Sequence, residues 1–66
     1  MTVYEIYDSR YIDRPDDAYC FEVCDTLQEA INNRHEYGNL NVIVETKLKK
    51  VGKRKYEQVS SKIVKL

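Results

Sequence analysis

The chain has 66 residues, with 11 basic and 11 acidic side chains, so its formal net charge is zero. This length predicts one domain, residues 1–66, with a thin core, since a domain of about 60 residues buries only about 60% of its unfolded surface. A hydrophobic content of 42% is typical of a globular chain. No apolar run approaches the ~18 residues that cross a bilayer. Residues 1–5 lack the features of a signal peptide. We therefore expect a cytoplasmic protein without membrane contact.

Charge is distributed unevenly along the chain. Residues 1–30 contain eight acids against two bases, a balance of −6, and residues 31–66 contain nine bases against three acids, a balance of +6. Such asymmetry is a hint about partners and says nothing about the fold.

The first half of the chain predicts two strands. Residues 3–7 are rich in the β-branched and aromatic side chains that strands favour. Residues 8–18 form a polar loop that contains the breaker Arg14-Pro15-Asp16-Asp17. Residues 19–24 then alternate, which predicts a second strand with Phe21 on one face and both cysteines on the other.

A helix is predicted over residues 26–37. Thr26 and Glu29 have the spacing of a capping box, in which the side chain at each position satisfies a backbone N–H at the other. Leu27, Ala30 and Ile31 then follow at helical spacing. Gly38 is suited to end the helix, because it has no side chain to oppose a positive φ angle.

The second half predicts a long strand at residues 40–49, a hairpin turn at 50–53 and a last strand at 54–64. The apolar pattern changes phase in the last strand, and Ser60-Ser61 is the expected position of a bulge. The order β-β-α-β-β favours an α+β fold, with one mostly antiparallel four-stranded sheet and a single helix packed on one face. Strand order stays open, and the connection through the helix could set the second and third strands parallel.

Catalytic and metal chemistry are not indicated by the residue inventory. Cys20 and Cys24 lie too far apart in a strand to form a disulfide, so both are expected to be free thiols. With His35 they are too few for a zinc site, which needs about four ligands. No Cys/His pair with an orienting residue and no glycine-rich phosphate loop is present. We expect no catalytic residue, no cofactor, no metal and no small-molecule substrate.

A basic hairpin surrounds the predicted turn. Such a hairpin can follow a phosphate backbone or enter a major groove, and an aromatic ring beside it can stack on unpaired bases. Lysines at a sheet edge also deter strand pairing, so a solvated hairpin is the simpler interpretation, and contact with an acidic protein surface is a third. The hairpin consists of Lys47, Lys49, Lys50, Lys53, Arg54, Lys55 and Tyr56.

Two further surfaces are candidates for binding. One short helix cannot cover six tyrosines, and tyrosine is enriched at interfaces, so a tyrosine face with Tyr4, Tyr7 and Tyr19 is predicted to meet a second copy or a protein partner. A solvated face is the simpler alternative. An acidic loop contains Asp13, Asp16 and Asp17, either solvated, or in contact with a basic partner, or holding a hard cation.

Together these features predict a small non-enzymatic protein-interaction module, a regulator or inhibitor of a larger host protein, with a homodimer as one form of partner. The alternative is a small nucleic-acid-binding protein that uses the hairpin at residues 47–56. A small, tyrosine-rich and charge-polarised chain is similar in type to many small proteins of bacteriophages and their hosts, a similarity that assigns no residue a role.

Overall fold

The computed structural model describes residues 1–66 as a four-stranded antiparallel sheet with a helix on one face, which confirms the predicted α+β fold. Three short 3-10 segments complete it: Ser9–Ile12, Pro15–Asp17 and Arg34–Tyr37. The main elements are β1 Thr2–Asp8, β2 Cys20–Cys24, α1 Leu27–Asn33, β3 Asn41–Gly52 and β4 Lys55–Ile63.

The strand order is β2-β1-β3-β4, with every neighbouring pair antiparallel. β2 and β3, which the helix connects, therefore run in the same direction but are separated by β1. The burial of β1 is consistent with its inner position, because Val3 on one face and Ile6 on the other are both buried. A strand with apolar groups on both faces is stabilised most between two neighbours.

The helix begins where the sequence predicts, but its α-helical part ends earlier than predicted. The Thr26 Oγ1 accepts the Glu29 N–H at 3.2 Å, and Gly38 has a φ of 84°. However, the α-helix stops at Asn33 and the last turn, to Tyr37, is 3-10. A buried Asn41 side chain fixes this end, because its Nδ2 donates to the carbonyls of residue 34 and Gly38 at 3.1 and 2.6 Å.

The core lies between the helix and the sheet. Ile6, Ile43, Cys24 and Ala30 form its buried centre. Ala30 is 0% exposed, and its small side chain allows the helix to approach the strands closely. Tyr4, Phe21, Leu27, Ile31, Tyr37 and Val64 pack around this centre.

A bulge in β2 changes the predicted alternation. Ile6 faces Glu22 while Tyr7 faces Cys20, so Phe21 has no partner in β1. Phe21 packs towards the helix, and its ring stacks on that of Tyr37 at 4.8 Å. The expectation that Cys20 and Cys24 share a face is therefore wrong, because the extra residue reverses the phase of the strand. Both cysteines are free.

The face of the sheet opposite the helix is partly covered by the first 3-10 segment. Tyr11 packs its ring against that of Tyr7 at 4.7 Å, and its hydroxyl lies 3.3 Å from the Ser61 Oγ of β4. Val44 and Thr46 beneath are buried. The predicted loop is thus a cover for part of this face.

The hairpin between β3 and β4 turns later than predicted. Its two turn residues are Lys53 and Arg54, and Arg54 has a φ of 65°, in the left-handed region that glycine adopts most easily. The predicted bulge in β4 exists one residue earlier than expected. Lys47 faces Ser60 and Leu48 faces Gln58, so Val59 is the residue without a partner.

Candidate functional site: the basic arm

The β3–β4 hairpin extends past the end of β1 as a two-stranded arm, residues 48–58. β1 pairs with β3 as far as Thr2↔Lys47, and Leu48, at the base of the arm, still exchanges backbone bonds with Met1 at 2.7 and 3.1 Å. Beyond Leu48 the pairing of β3 involves β4 alone. Leu48–Gly52 corresponds to a length of about 16 Å at the usual rise of a strand. The arm belongs to a molecule whose longest dimension is 37 Å and whose shortest is 18 Å.

The arm and its base carry an excess of positive charge. Six cations at residues 47–55 are opposed only by Glu57, and all seven side chains are exposed. The two ion pairs of the structure, Arg10–Asp8 at 2.7 Å and Lys62–Glu45 at 3.7 Å, involve none of the six. These cations are therefore free to meet an anion from outside.

The cations are distributed over both faces of the arm and its tip. Lys49 lies opposite Glu57 on the helix side, and Lys50 lies opposite Tyr56 on the other side. Lys53 and Arg54 occupy the turn. Tyr56 is 47% exposed beside Lys50. The arrangement suits a ligand that surrounds the arm better than one that contacts a single flat side.

The acidic residues lie near the other end of β3. Asp13, Asp16 and Asp17 are exposed in and beside the 3-10 segments, and the first segment is tied to the start of β3 by the Ser9 N–H donating to the Leu40 carbonyl at 3.1 Å. They are thus brought near one another but not near the basic hairpin. The structure contains no cluster of three or more His, Cys, Asp or Glu side chains arranged to hold a metal ion.

Asp8, which precedes this acidic segment in the chain, has a structural role. Its carboxylate accepts bonds from the Arg10 guanidinium at 2.7 and 3.1 Å and from the N–H groups of Arg10 and Tyr19. The Arg10 side chain and these N–H groups lower the pKa of Asp8. Asp8 therefore closes the turn that carries the acidic segment.

The three tyrosines of the predicted tyrosine face do not lie together. Tyr4 packs against the core on the helix side, whereas Tyr7, an odd number of residues later in the same strand, lies on the opposite side with Tyr11. Tyr19 precedes β2, and its ring meets that of Phe21 edge-on at 5.5 Å. The prediction that these three tyrosines form a single surface is therefore wrong, because side chains alternate along a strand and Tyr4 and Tyr7 lie on opposite faces of the sheet.

A polar cluster beside the helix was missed by the sequence reasoning. Glu22 accepts bonds from the Tyr37 hydroxyl at 2.7 Å, the Asn33 Nδ2 at 2.6 Å and the Cys24 Sγ at 3.2 Å. These donors lower the pKa of Glu22, while burial and the nearby carboxylate raise the pKa of Cys24 to about 11. The thiol is held protonated, which makes it a poor nucleophile. The cluster ties helix to strand.

A second missed cluster lies on the opposite face. The Glu5 carboxylate accepts bonds from the Thr46 hydroxyl and from the Tyr7 hydroxyl. Burial, followed by the charge of Glu5, raises the pKa of Tyr7 to about 12. Only the strand register, which places β1 beside β3, could have revealed this pairing.

Comparisons with protein-family models, with characterised proteins and with solved structures find no significant match to this chain. None of its helical segments has the length and apolar character that crossing a bilayer requires.

Proposed function

We propose that this chain is a non-enzymatic interaction module that binds a larger protein through the basic arm. The observation that carries the proposal is the projection of five exposed, unpaired cations on an arm that extends beyond the rest of the sheet, with a sixth, Lys47, at its base. A partner with an acidic groove or cleft fits this shape and charge. By occupying such a site, the chain would regulate or inhibit its partner.

Electrostatics gives the arm a defined part in binding. Clustered surface charges accelerate encounter and select partners of opposite charge more than they add affinity. Binding is therefore expected to weaken as salt rises, because exposed charges are screened beyond about 10 Å at 0.1 M ionic strength. The acidic residues at the far end of the molecule belong to a different surface and are not required.

A capture experiment with two matched variants tests the proposal. In one variant Lys49, Lys50, Lys53 and Arg54 become Gln, and in the other Asp13, Asp16 and Asp17 become Asn. Tagged proteins are used to capture partners from extracts of the source cell, and mass spectrometry identifies what is retained. We expect a partner that binds wild type and the acid-neutralised variant but not the arm variant. Equal capture by both variants would show that the arm is not the binding element.

Nucleic acid is a second candidate ligand, and the exposed Tyr56 beside Lys50 favours it. A two-stranded ribbon fits the major groove of duplex DNA. Stacking of an aromatic ring on an unpaired base contributes about 1–3 kcal/mol to the binding free energy. The cations on both faces of the arm would then contact phosphates on either side.

Gel shifts with duplex DNA and single-stranded RNA separate this candidate from the first. If all four cations of the arm variant contact phosphates of duplex DNA, their neutralisation should reduce the slope of log K against log salt by up to about 3.6. Tyr56→Ala should weaken single-strand binding more than Tyr56→Phe. Absence of binding by wild type at low salt would exclude nucleic acid as the ligand.

A further inference from the structure

We propose that the outer edge of β4 pairs with β4 of a second copy, so that two copies form one antiparallel eight-stranded sheet. The pairing is centred on Ser61, which faces Ser61 of the second copy. This surface is separate from the tip of the basic arm, and the proposal does not depend on what the arm binds.

β4 is the longer free edge of the sheet. It has nine residues, all of them exposed, whereas the edge strand β2 has five; each of the two strands has one bulge, at Val59 in β4 and at Phe21 in β2. An edge strand leaves alternate backbone N–H and C=O groups unpaired, which makes it a template for another strand. The exposed apolar side chains Tyr56, Val59 and Ile63 lie along this same edge.

The hydrogen bonds of the sheet show which backbone groups of β4 point outward. The Val64 N–H donates to the Ile43 carbonyl at 2.8 Å, and the register from there to Thr46↔Ser61 contains no shift. Bonded and non-bonded pairs alternate in an antiparallel ladder, so Ser61 and Ile63 direct their N–H and C=O groups away from β3. A second strand can therefore bond to Ser61 without breaking any bond to β3.

The side chains around Ser61 are complementary to themselves. With a two-fold axis at Ser61, Val59 of each copy lies opposite Ile63 of the other, and Ser60 lies opposite Lys62. Val59 is 64% exposed and Ile63 is 41% exposed in the single chain. Because of the two-fold symmetry, this Val59–Ile63 contact occurs twice and covers both side chains in each copy. The pairing places no like charges opposite each other.

Two other registers with a two-fold axis fit less well. A two-fold axis perpendicular to the sheet must pass between one residue and the same residue of the second copy. Each alternative register is therefore defined by the residue that lies at the axis. A centre at Glu57 would oppose two carboxylates. A centre at Val59 would place Lys55 opposite Ile63 and would put the bulge of β4 on the two-fold axis itself, whereas the register centred on Ser61 keeps the bulge two residues away. Lys62, close to the proposed centre, is already paired with Glu45 at 3.7 Å.

Two variants that change the same exposed positions test the register. In V59K/I63K each introduced lysine faces an introduced lysine of the second copy. We expect the dimer dissociation constant to rise at least about tenfold, because opposed like charges destabilise a cross-strand pair. In V59K/I63E each introduced lysine faces an introduced glutamate, and the dimer should recover. Circular dichroism checks that both variants are folded, and sedimentation equilibrium over a concentration series measures association.

Several results would overturn the proposal. A wild-type protein that is monomeric at every concentration has no such interface. Oligomers that lengthen with concentration would indicate head-to-tail pairing of β4 with β2, which does not close. A dimer that dissociates in high salt, or in the arm variant described above, would instead indicate contact between acidic and basic ends. Failure of V59K/I63E to recover would exclude the register centred on Ser61.

Discussion

The tip of the basic arm carries a strain that substitution can relieve. Arg54 adopts a φ of 65°, which costs a residue with a side chain about 1–2 kcal/mol, whereas glycine adopts it freely. Glycine in turn lowers the free energy of unfolding by about 0.5–1 kcal/mol, because it gives the unfolded chain greater conformational freedom. Arg54→Gly should therefore stabilise the protein by about 0.5–1 kcal/mol. For a domain of this size, that is a rise in Tm of about 2–8 °C.

The neighbouring residue supplies the control. Lys53 does not have a positive φ, so Lys53→Gly gains no relief and should lower Tm by a similar amount. Each variant removes one cation from the arm, so the change in charge is the same in both. Thermal unfolding followed by circular dichroism measures the two shifts. β4 contacts the sheet chiefly through β3, so closure of the hairpin contributes to global stability. Shifts of the same sign in both variants would refute the strained turn.

Two other expectations concern the core and alkaline pH. Ile6→Ala, at a side chain that is 0% exposed, should cost about 2–5 kcal/mol of a total near 3–10 kcal/mol, whereas Ile12→Ala, 61% exposed, should be nearly neutral in urea unfolding. Burial raises the pKa of Cys24 to about 11 and that of Tyr7 to about 12. The hydrogen bond that the Tyr37 hydroxyl donates to the Glu22 carboxylate, followed by burial, raises the pKa of Tyr37 to about 12. The unfolded chain, with pKa values near 9.0 and 10.0, releases these protons first, so stability should fall as pH rises through this range. Tyr37→Phe should reduce that fall, and a flat stability between about pH 8 and about pH 11 would contradict it.

Local sequence signals predicted the elements of this protein well. The Thr26 cap is observed as a bond to the Glu29 N–H, and the glycine stop is observed as the positive φ of Gly38. These features depend on residues within one turn of each other, so the sequence contains all the information they need. The exposed cations of the hairpin follow in the same way from local composition.

Local signals failed where a strand gained one residue or the turn moved. Phe21 has no partner in β1, so the faces of Cys20 and Cys24 were assigned wrongly. In the hairpin the favourable Gly52 suggested the turn, but the chain turns at Lys53 and Arg54. A bulge depends on how two strands align, and alternation in one strand does not contain that information.

Local sequence signals specify the four strands, the start of the helix and its glycine stop, and the concentration of positive charge in one hairpin. Tertiary packing alone places β1 between β2 and β3, which brings Glu5 beside Thr46. It also decided that the hairpin projects as an arm and that β4 is left as a free edge. The physical reason is that strand order and register arise from burying apolar groups of distant segments together, a choice among whole arrangements that no single segment expresses.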